Sequence, residues 1–173
     1  MKFIKCLIAV SLTMPLVLAA NVPSISAPAA KAKAKPVVIT QAKVLARLAT
    51  NDRAVARKDV NTIMVSMAAN VVVKLTIEGQ GTQTMNRAQY RAMIEQGFKA
   101  VQNYRYKRTN TKITIAPGGQ SARVTATVLE NMQMNGTSIQ GTTQETAILR
   151  VQGGRILVTS INAMARMTMG ART

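Results

Sequence analysis

The sequence predicts an α+β domain in which three helices pack against a mainly antiparallel β-sheet. Two observations carry the prediction. Apolar residues recur at three- and four-residue steps from Thr40 to Met67 and again from Asn86 to Val101, the period of amphipathic helices. Residues 110–165 then break into four strand-like runs at Pro117-Gly118-Gly119-Gln120, Asn135-Gly136 and Gln152-Gly153-Gly154-Arg155, each of which fits a tight hairpin turn.

The chain opens with a segment that is not expected to belong to the fold. Met1 to Lys5 is basic, Cys6 to Ala20 is uncharged and apolar, and small residues follow at Ala19 and Ala20. This is the layout of a secretory signal peptide over residues 1–20, and the run is shorter than the ~20 apolar residues of a membrane span. Cleavage near Ala19 or Ala20 would send the protein to the periplasm or outside the cell. Cys6 is the only cysteine and there is no histidine, so the mature chain has no disulfide, thiol nucleophile or thiolate ligand. Residues 21–36, rich in Ala, Pro and Lys, read as a flexible linker.

Charge is the strongest compositional signal. Of 23 basic residues, two lie in the signal (Lys2, Lys5) and three in the linker (Lys31, Lys33, Lys35), leaving 18 against 6 acidic residues, a net of +12. Such a balance permits an anionic polymer or lipid surface as partner, and equally a merely solvated surface.

Thr40 is expected to cap a first helix whose apolar stripe includes Val44, Leu45, Leu48, Ala49, Asp52 and Val55, with Arg47 off it. Asp59 precedes a second apolar run and reads as its cap. Val71 to Glu78 is β-branched and reads as a strand, and Gly79 to Thr84 as a polar loop. Asn86 caps a third helix over 87–101, in which Gly97 suggests close packing against a neighbour. Tyr104-Arg105-Tyr106-Lys107-Arg108 alternates aromatic and basic residues. It reads as a strand with its tyrosines inward and its cations in water, or as a small platform for stacking bases.

Pairing the strands about their turns gives a register. Ile113 falls opposite Val124, Ala126 opposite Glu145, Glu145 opposite Asn162, Ala147 opposite Ser160, Leu149 opposite Val158 and Glu130 opposite Gly141. One face is then apolar, with Met164 on it, and the other polar, so helices must cover the dry side.

Four stretches carry a family resemblance: Arg57 to Val60, Asn86 to Tyr90, Gly119 to Val124 and Gly153 to Val158. With the order helix, helix, strand, helix and long meander, the chain resembles the nuclear transport factor 2-like superfamily, which includes SnoaL-like polyketide cyclases and ketosteroid isomerases. The resemblance covers Val37 to about Met167 (residues 168–173 reading as a tail). It implies a strongly curved sheet that forms a cone with a pocket, and often a homodimer.

Enzymes of that superfamily use an aspartate base, a tyrosine donor or a histidine–aspartate dyad. The absence of histidine excludes the dyad. Asp52 and Asp59 fall on helices, and no isomerase constellation finds a matching set, so none is carried over. The register instead places Glu145 and Asn162 together on the apolar face, with Thr143, Ser160 and Glu130 nearby and Tyr90 facing them from the third helix. Glu145 oriented by Asn162 would be a candidate general base. It would equally be a glutamate at a wet pocket mouth, or one paired with an interior cation such as Lys74. On the outer face Lys112, Arg123, Arg150 and Arg155 form a candidate anion site, or a solubilising rim. Met132, Met134, Met167 and Met169 are spaced as soft copper(I) ligands or as apolar filler. No metal site, cofactor or sequence-specific nucleic acid recognition is expected. The leading expectation is an exported, non-catalytic binding or accessory protein with a small apolar pocket. The alternatives are an isomerase or cyclase using Glu145, and an envelope scaffold using the basic face.

Overall fold

The computed structural model describes residues 36–172, so the signal segment, Cys6 and nearly all of the linker lie outside the described residues. Helix α1 (Gln41–Ala56) begins where Thr40 accepts a hydrogen bond from the Lys43 amide. Helix α2 (Val60–Val65) begins at Asp59, whose carboxylate accepts from both the amide and the hydroxyl of Thr62. These bonds satisfy amides that the first helical turn leaves without partners. Asp59 is therefore a cap, as expected. Helix α3 (Arg87–Ala100) carries a full capping box between Asn86 and Gln89.

The strands are β1 (Met67–Ile77), β2 (Gly81–Met85), β3 (Gln102–Ile115), β4 (Ser121–Met134), β5 (Thr137–Gln152) and β6 (Arg155–Arg172). They form one six-stranded sheet in the order β2-β1-β6-β5-β4-β3, antiparallel except where β1 runs parallel to β6. Three elements depart from expectation. The polar loop after Glu78 is a tight turn followed by β2, which pairs with β1 from Val73–Met85 to Ile77–Gly81. Strand β1 starts at Met67 because it continues directly from α2. Strand β3 runs through Tyr104–Arg108 into the first strand of the meander, joined by a bulge between Thr109 and Lys112 at which Asn110 takes φ +52°. That bulge switches the inward residues from even to odd numbers, so Tyr104, Tyr106 and Arg108 share a face with Ile113 and Ile115.

The pairings across β3–β4 and β4–β5 are those the turns imply, including Ile113–Val124, Ala126–Glu145 and Glu130–Gly141. Across β5–β6 they hold only near the turn. Leu149 pairs with Val158, but Ile148 pairs with Ser160, leaving Thr159 as an extra residue. One inserted residue moves every later side chain of β6 to the other face. Glu145 consequently faces Ala163, Ala147 faces Ile161, and Met164 is 62% exposed on the outer side.

Two apolar clusters hold the layers together. One joins Ile39 and Val44 to Val124 and Leu149 of the sheet; the other joins Met64 of α2 to Val71 and Val73 of β1 and to Met85 of β2. In α1, Leu45 and Ala49 turn out to be exposed, and Arg47 is half-buried instead. Helix α3 has no fully buried residue, because its apolar stripe faces a cavity.

Candidate functional site: a cavity with a carboxylate and tyrosine wall

The cavity lies between the helices and the inner face of the sheet and has a volume of about 380 Å³. Much of its wall is aliphatic, with Leu75, Ile94, Val128, Leu149 and Ile161 among the lining. The aromatic residues gather there too. Tyr90, Phe98, Tyr104 and Tyr106, all the aromatic residues among those described, line it. Gly97 opens onto the same space, and a Cβ built there meets nothing within 4 Å. The expected close packing at Gly97 is thus replaced by open cavity.

The polar groups of the wall form two sets. In the first, Arg108 reaches inward from β3 with only 6% of its side chain exposed. It donates to Glu145 Oε1 at 2.8 Å, to Asp52 Oδ1 at 3.0 Å and to the Tyr106 hydroxyl at 2.7 Å. Tyr106 in turn donates to Asp52 at 3.2 Å. Burial pulls the Arg108 guanidinium down, but Glu145, Tyr106 and Asp52 together outweigh it and hold it above its ordinary value. In the second set, the Tyr104 hydroxyl donates to Glu130 Oε1 in a short bond. Burial, then the Glu130 charge, pushes Tyr104 well above its ordinary value. Tyr90 also lines the cavity; burial, then Glu145 and Glu130, raise it in the same way.

Among the residues singled out from sequence, Glu130, Glu145, Thr143 and Tyr90 line the cavity. Asn162 and Ser160 do not. Asn162 pairs with Thr146 and is exposed, and Ser160 lies between Ile148 and Val72, because the β6 bulge turns both outward. The cation beside Glu145 is Arg108, whereas Lys74 is exposed. On the outer face, Lys112, Arg123 and Arg150 are exposed as expected. Arg155 leaves them: it donates to the Val65 carbonyl at the end of α2 and lines a shallow depression with Lys43 and Arg47. Arg123 and Arg150 remain diagonal neighbours across β4 and β5.

Sequence reasoning missed Arg108 as a cavity residue and Asp52 as its partner. Both left a signal. Asp52 is a charge within an apolar helical stripe, and Arg108 has the same strand parity as the inward Tyr104 and Tyr106.

No family model matches the chain, and no curated protein matches it. Solved structures do. An NTF2-like protein from Cytophaga hutchinsonii is 15% identical, with TM-score 0.59 over 73% of this chain and 99% of that one. An NTF2-like protein of unknown function from Pseudomonas putida is 17% identical, with TM-score 0.57 over 72% and 84%. A hexachlorocyclohexane dehydrochlorinase, LinA type 2, is 14% identical, with TM-score 0.62 over 77% and 90%. The chain therefore has the NTF2-like fold, which serves both enzymes and proteins of unknown function, and at these identities the likeness extends to the fold alone.

Proposed function

We propose that this chain is an exported binding protein whose cavity takes a small, mainly apolar ligand and performs no chemistry on it. The observation that carries this is the state of the expected base. Glu145 is committed to Arg108, and Asn162, its intended partner, sits on the opposite face of the sheet. What remains is a cavity of the volume that drug-sized ligands occupy, with an apolar wall and a few convergent polar groups. The +12 balance of residues 36–173 and the signal-like start fit an envelope location.

The test uses a neutral apolar fluorophore, N-phenyl-1-naphthylamine, with the mature chain. Saturable binding at one site is expected, displaced by unlabelled decanol, retained in Glu145→Gln and lost in a folded Gly97→Phe variant, whose ring would fill the open cavity. Binding that is non-saturable, or unchanged in folded Gly97→Phe, would overturn the proposal. Should Gly97→Phe not fold, decanol competition on the unaltered chain decides. Conversion of a bound ligand that depends on Glu145 or Glu130 would overturn its non-catalytic part.

A further inference from the structure

The chain has cations to spare, yet one of its acids is kept from them. Among the described residues, ion pairs engage Asp52, Glu78, Glu95 and Glu145, and Asp59 caps α2. Among the described residues Glu130 has no cationic partner. It lies in the cavity wall, directly across from Tyr106 on β3, and its one bonded oxygen accepts from Tyr104.

The two arginines of the cavity do not neutralise it. Arg108, opposite Val128 and hence two strand positions away, directs its three hydrogen bonds to Asp52, Glu145 and Tyr106. Arg47 donates to the Ile156 carbonyl at the start of β6. Glu130 pairs with Gly141, which pairs with Met167, eleven residues further along that strand. At strand rise this separation exceeds ~30 Å of chain.

Glycine lets the Glu130 carboxylate lie close over the neighbouring strand. Its facing residue on β5 is Gly141, where a Cβ would already touch Oε2 at 3.7 Å, the oxygen that Tyr104 does not occupy. Around it stand the rings: Phe98 meets Tyr104 edge to face at 5.6 Å between centroids, and Tyr106 and Tyr90 complete the wall. Ring faces attract cations through their quadrupole, and an uncompensated carboxylate at low dielectric does so far more strongly than it would in water.

Resting on the reading of this cavity as a ligand site, we infer that its ligand is an organic cation. An apolar body lies against the aliphatic wall, and a protonated or quaternary nitrogen stands between Glu130 and the aromatic residues. Glu130 supplies the counter-charge and Tyr104 fixes its orientation.

The experiment compares two isosteres that differ in one atom, phenyltrimethylammonium and tert-butylbenzene, each displacing the naphthylamine probe from the mature chain. The cation should bind about tenfold more tightly, the scale of one desolvated charge contact. In Glu130→Gln, which keeps an acceptor for Tyr104, that preference should vanish while the neutral isostere is unaffected. Equal displacement by both isosteres in the unaltered protein would overturn the inference and leave the binding reading intact. A preference that persists in Glu130→Gln would overturn the role of Glu130. No binding of the probe or of either isostere would overturn both readings. If Glu130→Gln does not fold, the comparison in the unaltered chain decides alone.

Discussion

Arg108 and Glu145 lie 2.8 Å apart between the third and fifth strands, and the same guanidinium reaches across to Asp52 on the first helix. One buried cation thus ties the helical layer to two strands of the sheet. Removing it would leave two carboxylates facing each other with little water. Arg108→Met should cost about 2–3 kcal/mol in chemical denaturation, below the ~3–5 of a fully buried pair because Asp52 and Glu145 keep some exposure. Adding Asp52→Asn and Glu145→Gln should restore most of the loss. If the triple variant is no more stable than Arg108→Met, packing of the arginine stem and not charge explains its place.

Gly97 offers a prediction of opposite sign. It sits inside α3, where glycine is disfavoured by backbone entropy, and nothing lies within 4 Å of an added Cβ. Gly97→Ala should therefore stabilise the protein by about 0.5–1 kcal/mol, visible as a higher melting temperature. A drop in melting temperature would show that the cavity closes on this helix in solution.

Much of the fold was legible in the sequence because turns and caps are local. Asn86, Asp59 and the glycine pairs each announce a boundary through their own backbone chemistry, and the β3–β4 and β4–β5 registers follow from turn position. The site was less legible because bulges are not local in their effects. Thr159 carries no residue-type mark of a bulge, yet it moves Asn162 from the cavity to the surface. The bulge after Thr109 likewise hides that Arg108 and Ile113 share a face. Asp52 could be placed only by knowing which strand its helix crosses.

The turn after β3 makes a sharper test of the backbone. Gly119 takes φ +63°, its carbonyl accepts from the Ile39 amide at 2.8 Å, and a Cβ there would collide with Val38 Cγ1 and approach the Ile39 carbonyl at 3.1 Å. Ile39 is a core residue, 2% exposed. Gly119→Ala should cost at least about 1–2 kcal/mol from the left-handed conformation alone. Displacement of the Val38–Ile39 segment adds to this. Faster exchange of the Ile39 amide hydrogen is the expected signature, and Gly153→Ala, with open space around it, should show no change at Ile39.

The three tyrosines give the protein a defined alkaline limit. Burial, with Glu130, Glu145 or Asp52 adding to it, raises Tyr90, Tyr104 and Tyr106 above their ordinary value of about 10. A group whose folded pKa is raised contributes stability that is whole below its unfolded pKa and is lost as pH climbs toward the folded one. Between those limits the unfolded chain has released protons that the folded chain still holds, so stability falls by about 1.4 kcal/mol per pH unit for each tyrosine. With three acting together, unfolding should set in steeply above pH ~10. The chain has no tryptophan, so absorbance near 295 nm reports tyrosinate alone. All three should ionise in one step that coincides with loss of the far-ultraviolet circular dichroism signal. Tyr104→Phe should shift that midpoint to higher pH, unless loss of its bond to Glu130 costs more than the ionisation it removes. Measuring the same variant at pH 7 separates the two. A tyrosine that titrates near 10 while the protein remains folded would show that the cavity admits water freely and that the aromatic wall is not dry.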